Sequence, residues 1–377
     1  MFLITLIIFF LILSILVLVH EFGHFVAAKI FGVKVEEFAL GLPFTRPIIS
    51  KTAKDKMIWA IYPVIFGGFV RLLGEEGEVK NNPASFAHKK PKVRALILVA
   101  GVFMNVLLGV VLLYLMLSIS SFKTFMPDFA KYRFHNAQQT KRVIVTDVKK
   151  DSPAELAGIK SGDIIVSMGN RDIEGSASML EETRKYAGKS IAITLYHQVP
   201  LAPRKIYAIP RANPPAGEGP MGIAIADVLE ISYKSGFEKI TSGLVLTFDL
   251  GIYTIKVLST LVGNAITSRD AAPVVSNLSG PVGIFNITKS FLQIGGIEAL
   301  FNIIQLMAMM TINLAIFNIL PFPALDGGRL LFVVIEGIIG KKIKPSWEKY
   351  IHQTGMALLL ALMVYVTFND VVRIFTK

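Results

Sequence analysis

Long apolar runs separated by polar stretches set the pattern of this chain. Residues 2–19 include only Thr5 and Ser14 as polar side chains, and a helix over that run spans about 27 Å, close to the hydrocarbon thickness of a bilayer. The run lacks a basic n-region and a small-residue cleavage site, so we expect it to be retained. The pattern predicts four transmembrane helices, which with their flanks occupy residues 1–30, 95–120, 291–329 and 353–377.

Basic residues indicate which ends of these helices face the cytoplasm. No Lys or Arg precedes Lys29, whereas residues 29–94 contain twelve. Because cytoplasmic loops are enriched in Lys and Arg, the loop 31–94 and the lysine-rich turn 330–352 are expected on the cytoplasmic side. Both termini and the segment between the second and third helices are then expected to be extracytoplasmic.

A short apolar stretch inside the first cytoplasmic loop has the composition of β-structure. Residues 57–73 are rich in β-branched and aromatic side chains around a break from Pro63 to Gly68. The stretch is too short to span a bilayer, so it predicts a β-hairpin that dips into the membrane where protein covers it. Such a hairpin can be a plain interfacial element or an edge that binds an extended substrate.

Residues 229–290 allow two interpretations. The run 244–262 is long enough to cross a bilayer, but it carries Asp249 and Lys256 two turns apart on one helix face. It either crosses the membrane or lies along its outer surface. A crossing would place Asp326 on the opposite side from the histidines discussed below, so we expect an amphipathic interfacial segment.

Between the second and third predicted helices the composition becomes polar enough to fold in water. Residues 142–148 alternate as in a strand, and a capping box with proline at its first helical position follows at 152–155. The runs 157–166 and 220–223 resemble a bacterial PDZ domain. The resemblance implies an inserted α+β PDZ domain over residues 125–228, whose groove takes an extended peptide by strand addition.

Composition restricts the classes of protein. With 53% apolar and 18% charged residues, the chain is typical of an integral membrane protein with some aqueous mass. The formal charge of +12 does not indicate nucleic acid as a partner, because the basic residues lie beside apolar segments, as the positive-inside rule explains. The sequence has no cysteine, so histidines and carboxylates are the metal ligands available.

The first apolar run ends in His20-Glu21-Phe22-Gly23-His24. On a helix the two histidines lie one turn apart on one face, so both imidazoles can reach one metal ion, and Glu21 lies beside them. This is the H-E-x-x-H spacing, in which two histidines bind Zn²⁺ and the glutamate is a general base. Ionisable groups in a membrane segment are costly unless they bind something, which favours function over a chance pattern.

Two histidines leave a catalytic Zn²⁺ short of one protein ligand. Asp326 is the best placed carboxylate, because it follows the third predicted helix at its cytoplasmic end. Pro321 and Pro323 precede it, and a helix broken by prolines can face a cavity. The alternative is that Asp326 caps the start of the next helix.

The second predicted helix contains two residues unlike their apolar neighbours. Gly101 and Asn105 stand in its first turns. Small residues and a lone asparagine at such positions usually allow helices to pack, so packing is favoured over a direct role in the site.

Together these motifs resemble the site-2 protease family of intramembrane zinc metalloproteases, in particular the bacterial regulator-of-sigma-E protease type, with a single PDZ domain. They follow the family order along nearly the whole chain, at residues 20–24, 67–70, 101–105, 157–166, 280–284 and 318–328. The resemblance implies Zn²⁺ ligands at His20, His24 and Asp326, with Glu21 as the catalytic base. It also implies a substrate-binding role for Asn318, Pro321, Pro323, Gly67 and Gly68, the hairpin pairing with an unwound substrate strand.

The resemblance implies hydrolysis of peptide bonds within transmembrane segments of single-span proteins, such as an anti-sigma factor or a signal-peptide remnant. The implied location is the bacterial cytoplasmic (inner) membrane, with the active site toward the cytoplasm and the PDZ domain outside. Two other classes also use intramembrane ligands, namely a metal or ion transporter and a membrane scaffold with a structural zinc. Glu21 at the position of a base and the lack of an inverted repeat argue against transport.

Overall fold

A computed structural model describes residues 1–75, 82–128, 132–196, 203–269 and 279–376. Within these ranges the helices are α1 (Phe2–Ile30), α2 (Pro91–Ile119), α3 (Pro153–Leu156), α4 (Ser176–Lys185), α5 (Gly236–Ser268), α6 (Pro281–Ile294), α7 (Gly296–Ile319), α8 (Asp326–Ile339) and α9 (Pro345–Thr376). The strands are β1 (Val35–Leu42), β2 (Ile49–Thr52), β3 (Ile58–Ile61), β4 (Val64–Leu72), β5 (Lys123–Pro127), β6 (Gln138–Val148), β7 (Ile164–Met168), β8 (Arg171–Asp172), β9 (Ile191–Tyr196), β10 (Pro203–Ala208) and β11 (Ile223–Ser232).

The chain divides into two compact units. The first comprises Met1–Leu112, Leu258–Gly295 and Asn302–Lys377, and the second comprises Leu113–Val257 and Gly296–Phe301. The first unit contains the smaller of the two β-sheets, and the second contains the larger one.

Five helices of the described chain are long and apolar enough to cross a membrane, namely α1, α2, α5, α7 and the Ser346–Arg373 part of α9. Four of them stand where the hydropathy pattern predicts a span. The fifth, α5, is a continuous helix of 33 residues over the segment expected to be interfacial. Its length suits a tilted crossing as well as a surface position, so the number of four spans stays a prediction.

Burial and pairing explain how α5 carries an acidic residue within an apolar run. Asp249 is 1% exposed. Its carboxylate accepts hydrogen bonds from the Tyr132 hydroxyl at 2.9 Å and from the His135 backbone N–H at 2.8 Å. The His135 ring nitrogen Nδ1 lies 2.6 Å from the same carboxylate. The acidic group is therefore satisfied inside the second unit, which a buried carboxylate requires.

The smaller sheet has the strand order β2-β3-β1-β4, and this order corrects the predicted hairpin over residues 57–73. Strands β3 and β4 form on either side of the break, but β1 lies between them. It pairs in parallel with β3 and antiparallel with β4. No local pattern predicts β1, because the acidic Glu37 stands within it. Glu37 is buried, and its carboxylate accepts a hydrogen bond from the Tyr62 hydroxyl at 2.7 Å.

The segment that connects β3 to β4 passes around the end of β1, and Gly41 leaves room for it there. Its φ is +90°, a conformation that favours glycine. A Cβ at this position would lie 2.6 Å from the Val64 carbonyl oxygen and 3.1 Å from the Tyr62 Cβ. Both the backbone conformation and the close contact therefore require glycine here.

The larger sheet has the order β10-β9-β7-β6-β11-β5, and β8 pairs with β7. It begins at Lys123 and ends at Ser232, so it extends past both predicted limits of the aqueous domain, 125 and 228. The predicted capping box forms at α3, where Ser152 Oγ accepts a hydrogen bond from the Glu155 backbone N–H at 3.2 Å.

Replacing Gly41 with alanine should destabilise the first unit by about 1–3 kcal/mol, because alanine is strained at positive φ and its methyl group meets the β4 backbone. Thermal unfolding of the detergent-solubilised protein would measure the change. The matched control is Gly263→Ala in α5, where an added Cβ meets nothing within 4 Å. Equal melting temperatures for both variants and the parent would contradict the assignment of Gly41.

Candidate metal centre

Helix α1 carries both histidines of the H-E-x-x-H motif on its buried side. His20 and His24 are 5% and 7% exposed, and their ring centroids lie 4.8 Å apart. Their Nε2 atoms are 3.2 Å apart. The i, i+4 spacing on the helix therefore directs the same nitrogen of each ring toward one point.

Asp326 is the first residue of α8, and it reaches the histidines because the loop after α7 folds back tightly. Gly327 lies against this loop, where a Cβ would come within 2.5 Å of the Ile319 carbonyl oxygen. The N-cap of α8 is Leu325, and no side chain caps the helix. Asp326 thus does not have the capping role that was the alternative, and its carboxylate is directed at α1.

Three potential ligand atoms converge at this point. Asp326 Oδ2 lies 2.7 Å from His20 Nε2 and 3.2 Å from His24 Nε2. In a tetrahedral Zn²⁺ site with bonds of about 2.0–2.2 Å, the ligand atoms stand roughly 3.3–3.6 Å apart. Two of the three separations, at 3.2 Å, are close to the lower end of that range, and the third, at 2.7 Å, is shorter. The two imidazoles and the carboxylate therefore fit a divalent metal such as Zn²⁺ and leave one tetrahedral position open.

Helix α2 provides the space that a metal needs. Gly101 faces both rings, and a Cβ there would lie 2.5 Å from His24 Nε2 and 2.8 Å from His20 Nε2. Any larger residue would fill the space between the coordinating nitrogens. At Gly23, inside the motif, a Cβ would collide with the Ala100 carbonyl. Helices α1 and α2 thus approach each other closely, with one glycine on each helix at the contact.

The outer ring nitrogens of the two histidines also contact α2. His24 Nδ1 lies 2.8 Å from the Ile97 carbonyl oxygen, and His20 Nδ1 lies 3.1 Å from the Asn105 amide. Such second partners orient metal-binding imidazoles. The position of Asn105 in an apolar helix predicts a packing role, and the structure adds this direct contact with His20. The available signal was a polar amide one turn after Gly101 in an otherwise apolar run.

Glu21 lies beside the three converging groups and contacts β4. Its Oε2 accepts a hydrogen bond from the Val70 backbone N–H at 3.0 Å. Strand β4 is at one edge of the smaller sheet, and it also contains Gly67 and Gly68. A Cβ on Gly68 would lie 2.7 Å from the Ala39 carbonyl oxygen, so this part of β4 fits closely against β1. The carboxylate thus connects the ligand cluster to a strand edge.

The other residues implied by the family resemblance lie around the same loop. The Asn318 amide nitrogen is 3.4 Å from His20 Nε2. Pro321 and Pro323 stand in the loop between α7 and α8. Pro323 lines an apolar cavity of about 340 Å³ together with residues of α9, and a Cβ on Gly355 would collide with it. Asn318 is therefore next to the ligands, whereas Pro323 packs toward α9.

Two ion pairs that the sequence analysis did not predict hold α8. Arg329, three residues after Asp326, pairs with Glu75. Glu336, further along α8, pairs with Arg94 of α2, and both of these side chains are buried. Because the partners are far apart in sequence, no local pattern could have indicated them.

Comparisons with known proteins find relatives that match nearly the whole chain. The model of peptidase family M50 matches residues 8–362. A protein named zinc metalloprotease RasP from Oceanobacillus iheyensis is 27% identical over 98% of this chain and 99% of its own. The RasP protein of Shouchella clausii is 26% identical over 99% of this chain and 100% of its own. A Clostridium perfringens relative is 31% identical over 95% of this chain and 96% of its own.

Replacing Gly101 with alanine should weaken Zn²⁺ binding by roughly 10–100-fold, because the methyl group would occupy the space between the two Nε2 atoms. Metal content after dialysis against a chelator buffer would measure the loss. Gly251→Ala in α5, where an added Cβ meets nothing within 4 Å, is the matched control and should keep its metal. Full metal content in Gly101→Ala would show that the space beside the rings is not the metal position.

Proposed function

Because this chain belongs to peptidase family M50, the site-2 protease family, we propose that it is a Zn²⁺-dependent endopeptidase that cleaves peptide bonds within transmembrane segments. One observation carries the proposal. The ligand atoms of His20, His24 and Asp326 lie 2.7–3.2 Å from one another, and Glu21 stands beside them. Two imidazoles, one carboxylate and an adjacent base are the parts of a catalytic zinc site.

In this proposal His20, His24 and Asp326 hold the metal and Glu21 is the general base. When bound, Zn²⁺ supplies Lewis acidity to the scissile carbonyl and to the attacking water. Glu21 accepts a proton from that water and delivers it to the leaving amine. The Val70 N–H holds the Glu21 carboxylate beside the ligands, so its position is set before a substrate arrives.

A substrate helix hides its peptide bonds, so it must unwind locally before cleavage. We assign the edge of β4, including Gly67 and Gly68, as the place where the unwound segment pairs as an added strand. We propose that Asn318, Pro321 and Pro323 also contact the unwound segment, as the family resemblance implies. A strand edge next to the base would present the substrate backbone in the extended form that hydrolysis needs.

The proposed substrates are single-span membrane proteins, such as an anti-sigma factor or a signal-peptide remnant. The proposed location is a bacterial cytoplasmic membrane, with four spans and α5 along the outer surface. Basic residues in the loop 31–94 and the turn 330–352 support a cytoplasmic position for both. The active site is then proposed toward the cytoplasm, and both termini and the proposed PDZ domain, residues 125–228, on the extracytoplasmic side.

The larger sheet is proposed to be a PDZ domain that binds an extended peptide. Helix α4 and the loop before β11 enclose a cavity of about 420 Å³, lined in part by Leu180, Arg184 and Pro220. Strand β5 pairs with β11 at Val228–Ser232. The preceding residues of β11, from Ile223 to Asp227, are therefore where a peptide strand would add. We call the region between α4 and this part of β11 the peptide groove. We propose that the peptide groove selects substrates by the end or the size of their extracytoplasmic segment.

Replacing Glu21 with glutamine should lower cleavage of a single-span substrate by roughly 10²–10⁴-fold, because the amide cannot accept the proton. The variant should keep its Zn²⁺, because Glu21 is not a proposed ligand. Cleavage by purified protein and metal content measured on the same preparation test both expectations. Glu36→Gln in β1 is the control carboxylate change and should keep cleavage.

The same variant separates protease from the other two classes. A transporter or a scaffold with a structural zinc would lose little function when Glu21 becomes glutamine. Undiminished cleavage by Glu21→Gln would remove Glu21 as the base, and absence of cleavage by the parent protein on a panel of single-span substrates would contradict the proposed activity.

Replacing Leu180 with aspartate places a charge in the proposed peptide groove. This change should abolish the difference in cleavage rate between a full-length substrate and a pre-trimmed one, whose outer segment has been shortened. Leu156→Asp in α3 of the same unit is the control, since Leu156 is 82% exposed. Relative cleavage rates of the two substrates are the measurement. If Leu180→Asp discriminates as the parent does, the groove has no role in selection.

A further inference from the structure

Asn105 is buried beside the proposed metal ligands, and within the described part of the chain one of its polar atoms has no partner. The residue is 0% exposed and stands in α2, one turn after Gly101. Its amide nitrogen Nδ2 lies 3.1 Å from His20 Nδ1. Its oxygen Oδ1 is buried and has no hydrogen-bond partner among the described residues. A buried carbonyl oxygen without a partner is unfavourable and calls for an explanation.

The orientation of this amide decides which nitrogen of His20 can bind a metal. If Nδ2 donates to Nδ1, a neutral imidazole must carry its proton on Nε2. That atom lies 2.7 Å from Asp326 Oδ2 and 3.2 Å from His24 Nε2, and with a proton it cannot coordinate. Oxygen and nitrogen of an asparagine amide have nearly the same shape, so a half-turn of the amide exchanges them.

We propose that Asn105 is a positioning residue whose Oδ1 accepts the Nδ1–H of His20. In this orientation the proton of the neutral ring stays on Nδ1, and the Nε2 lone pair is free for the metal. The exchange pairs Oδ1 with the ring and turns Nδ2 to the buried position that Oδ1 occupied. The inference rests on the proposed function in that it takes His20 as a metal ligand.

The contact at His24 supports this assignment. His24 Nδ1 lies 2.8 Å from the Ile97 carbonyl oxygen, and a carbonyl oxygen can only accept, so Nδ1 must donate and Nε2 stays free. With Oδ1 of Asn105 toward His20, both rings donate outward to an oxygen on α2. One helix then fixes the same tautomer in both ligands, as partners of metal-binding histidines commonly do.

Contacts on the other side hold Asn105 in place. The Thr311 hydroxyl on α7 donates to the Asn105 backbone oxygen at 3.1 Å, and Thr311 is also 0% exposed. The backbone of α2 is thus tied to α7 at the residue whose side chain meets His20. Any residue at position 105 could accept the Thr311 bond with its backbone oxygen, whereas the contact with the His20 ring requires the side chain.

The test compares two replacements of nearly the same shape in the full-length protein. Asn105→Asp keeps an oxygen that can accept, whereas Asn105→Leu has none. We expect Asn105→Leu to weaken Zn²⁺ affinity roughly 10–100-fold and Asn105→Asp to stay within about threefold of the parent. Competition with a chromogenic chelator measures affinity without any cleavage assay. Thr311→Val removes the helix contact but leaves the ring contact, so it should bind Zn²⁺ as the parent does.

Each outcome decides the assignment. Parent affinity in Asn105→Leu would overturn it, and so would an Asn105→Asp variant as weak as Asn105→Leu, because the amide N–H would then be the required group. Thermal unfolding of the metal-free variants separates lost affinity from lost folding. If Asn105→Leu does not fold, the smaller Asn105→Ala carries the same expectation. A parent protein that binds Zn²⁺ but cleaves nothing would contradict the proposed function and leave this inference standing.

Discussion

The close approach of α1 and α2 is the constraint on which the candidate site depends. A Cβ on Gly23 would collide with the α2 backbone, and a Cβ on Gly101 would stand 2.5 Å from His24 Nε2. Because neither side chain is present, the α2 backbone lies directly against the two imidazoles. That approach brings the Ile97 carbonyl and the Asn105 amide within reach of the outer ring nitrogens. The same two glycines thus create the space for an ion and the partners that orient its ligands.

Ionisable groups in two of the apolar helices are paired with specific partners. The histidines of α1 face Asp326 and α2, and the Asp249 carboxylate of α5 accepts from Tyr132 and His135. An isolated polar group in such surroundings would cost several kcal/mol, so each one requires a specific partner. These ionisable residues are therefore paired with residues in segments that are distant in the sequence. Asp249 in particular has a local structural role in the second unit, so its charge alone does not decide whether α5 crosses the membrane.

Features with a local sequence signal could be predicted, and features made by distant contacts could not. The spacing of His20 and His24 predicts one face of a helix, and the apolar runs predict where long helices form, because both depend on residues within a few turns. The breaks around Pro63 and Pro321 also fall where the sequence indicates. Strand β1 was missed because the burial of Glu37 depends on Tyr62, which lies in a later segment. The predicted hairpin was wrong for the same reason, since the pairing of β3 and β4 depends on β1 being present.

The position of Asp326 depends on more than the sequence of α8. The two ion pairs of that helix, Arg329 with Glu75 and Glu336 with Arg94, join it to the segment after β4 and to the start of α2. The Glu336–Arg94 pair is buried. A buried ion pair adds little net stability, but separating its partners leaves uncompensated charges and is strongly unfavourable. Alternative positions of α8 are therefore penalised even where apolar packing would tolerate them. Asp326 is the first residue of this helix, so the ion pairs that hold α8 also hold the Asp326 carboxylate at the two imidazoles. The position of the acidic ligand therefore depends on residues that are distant from it in the sequence.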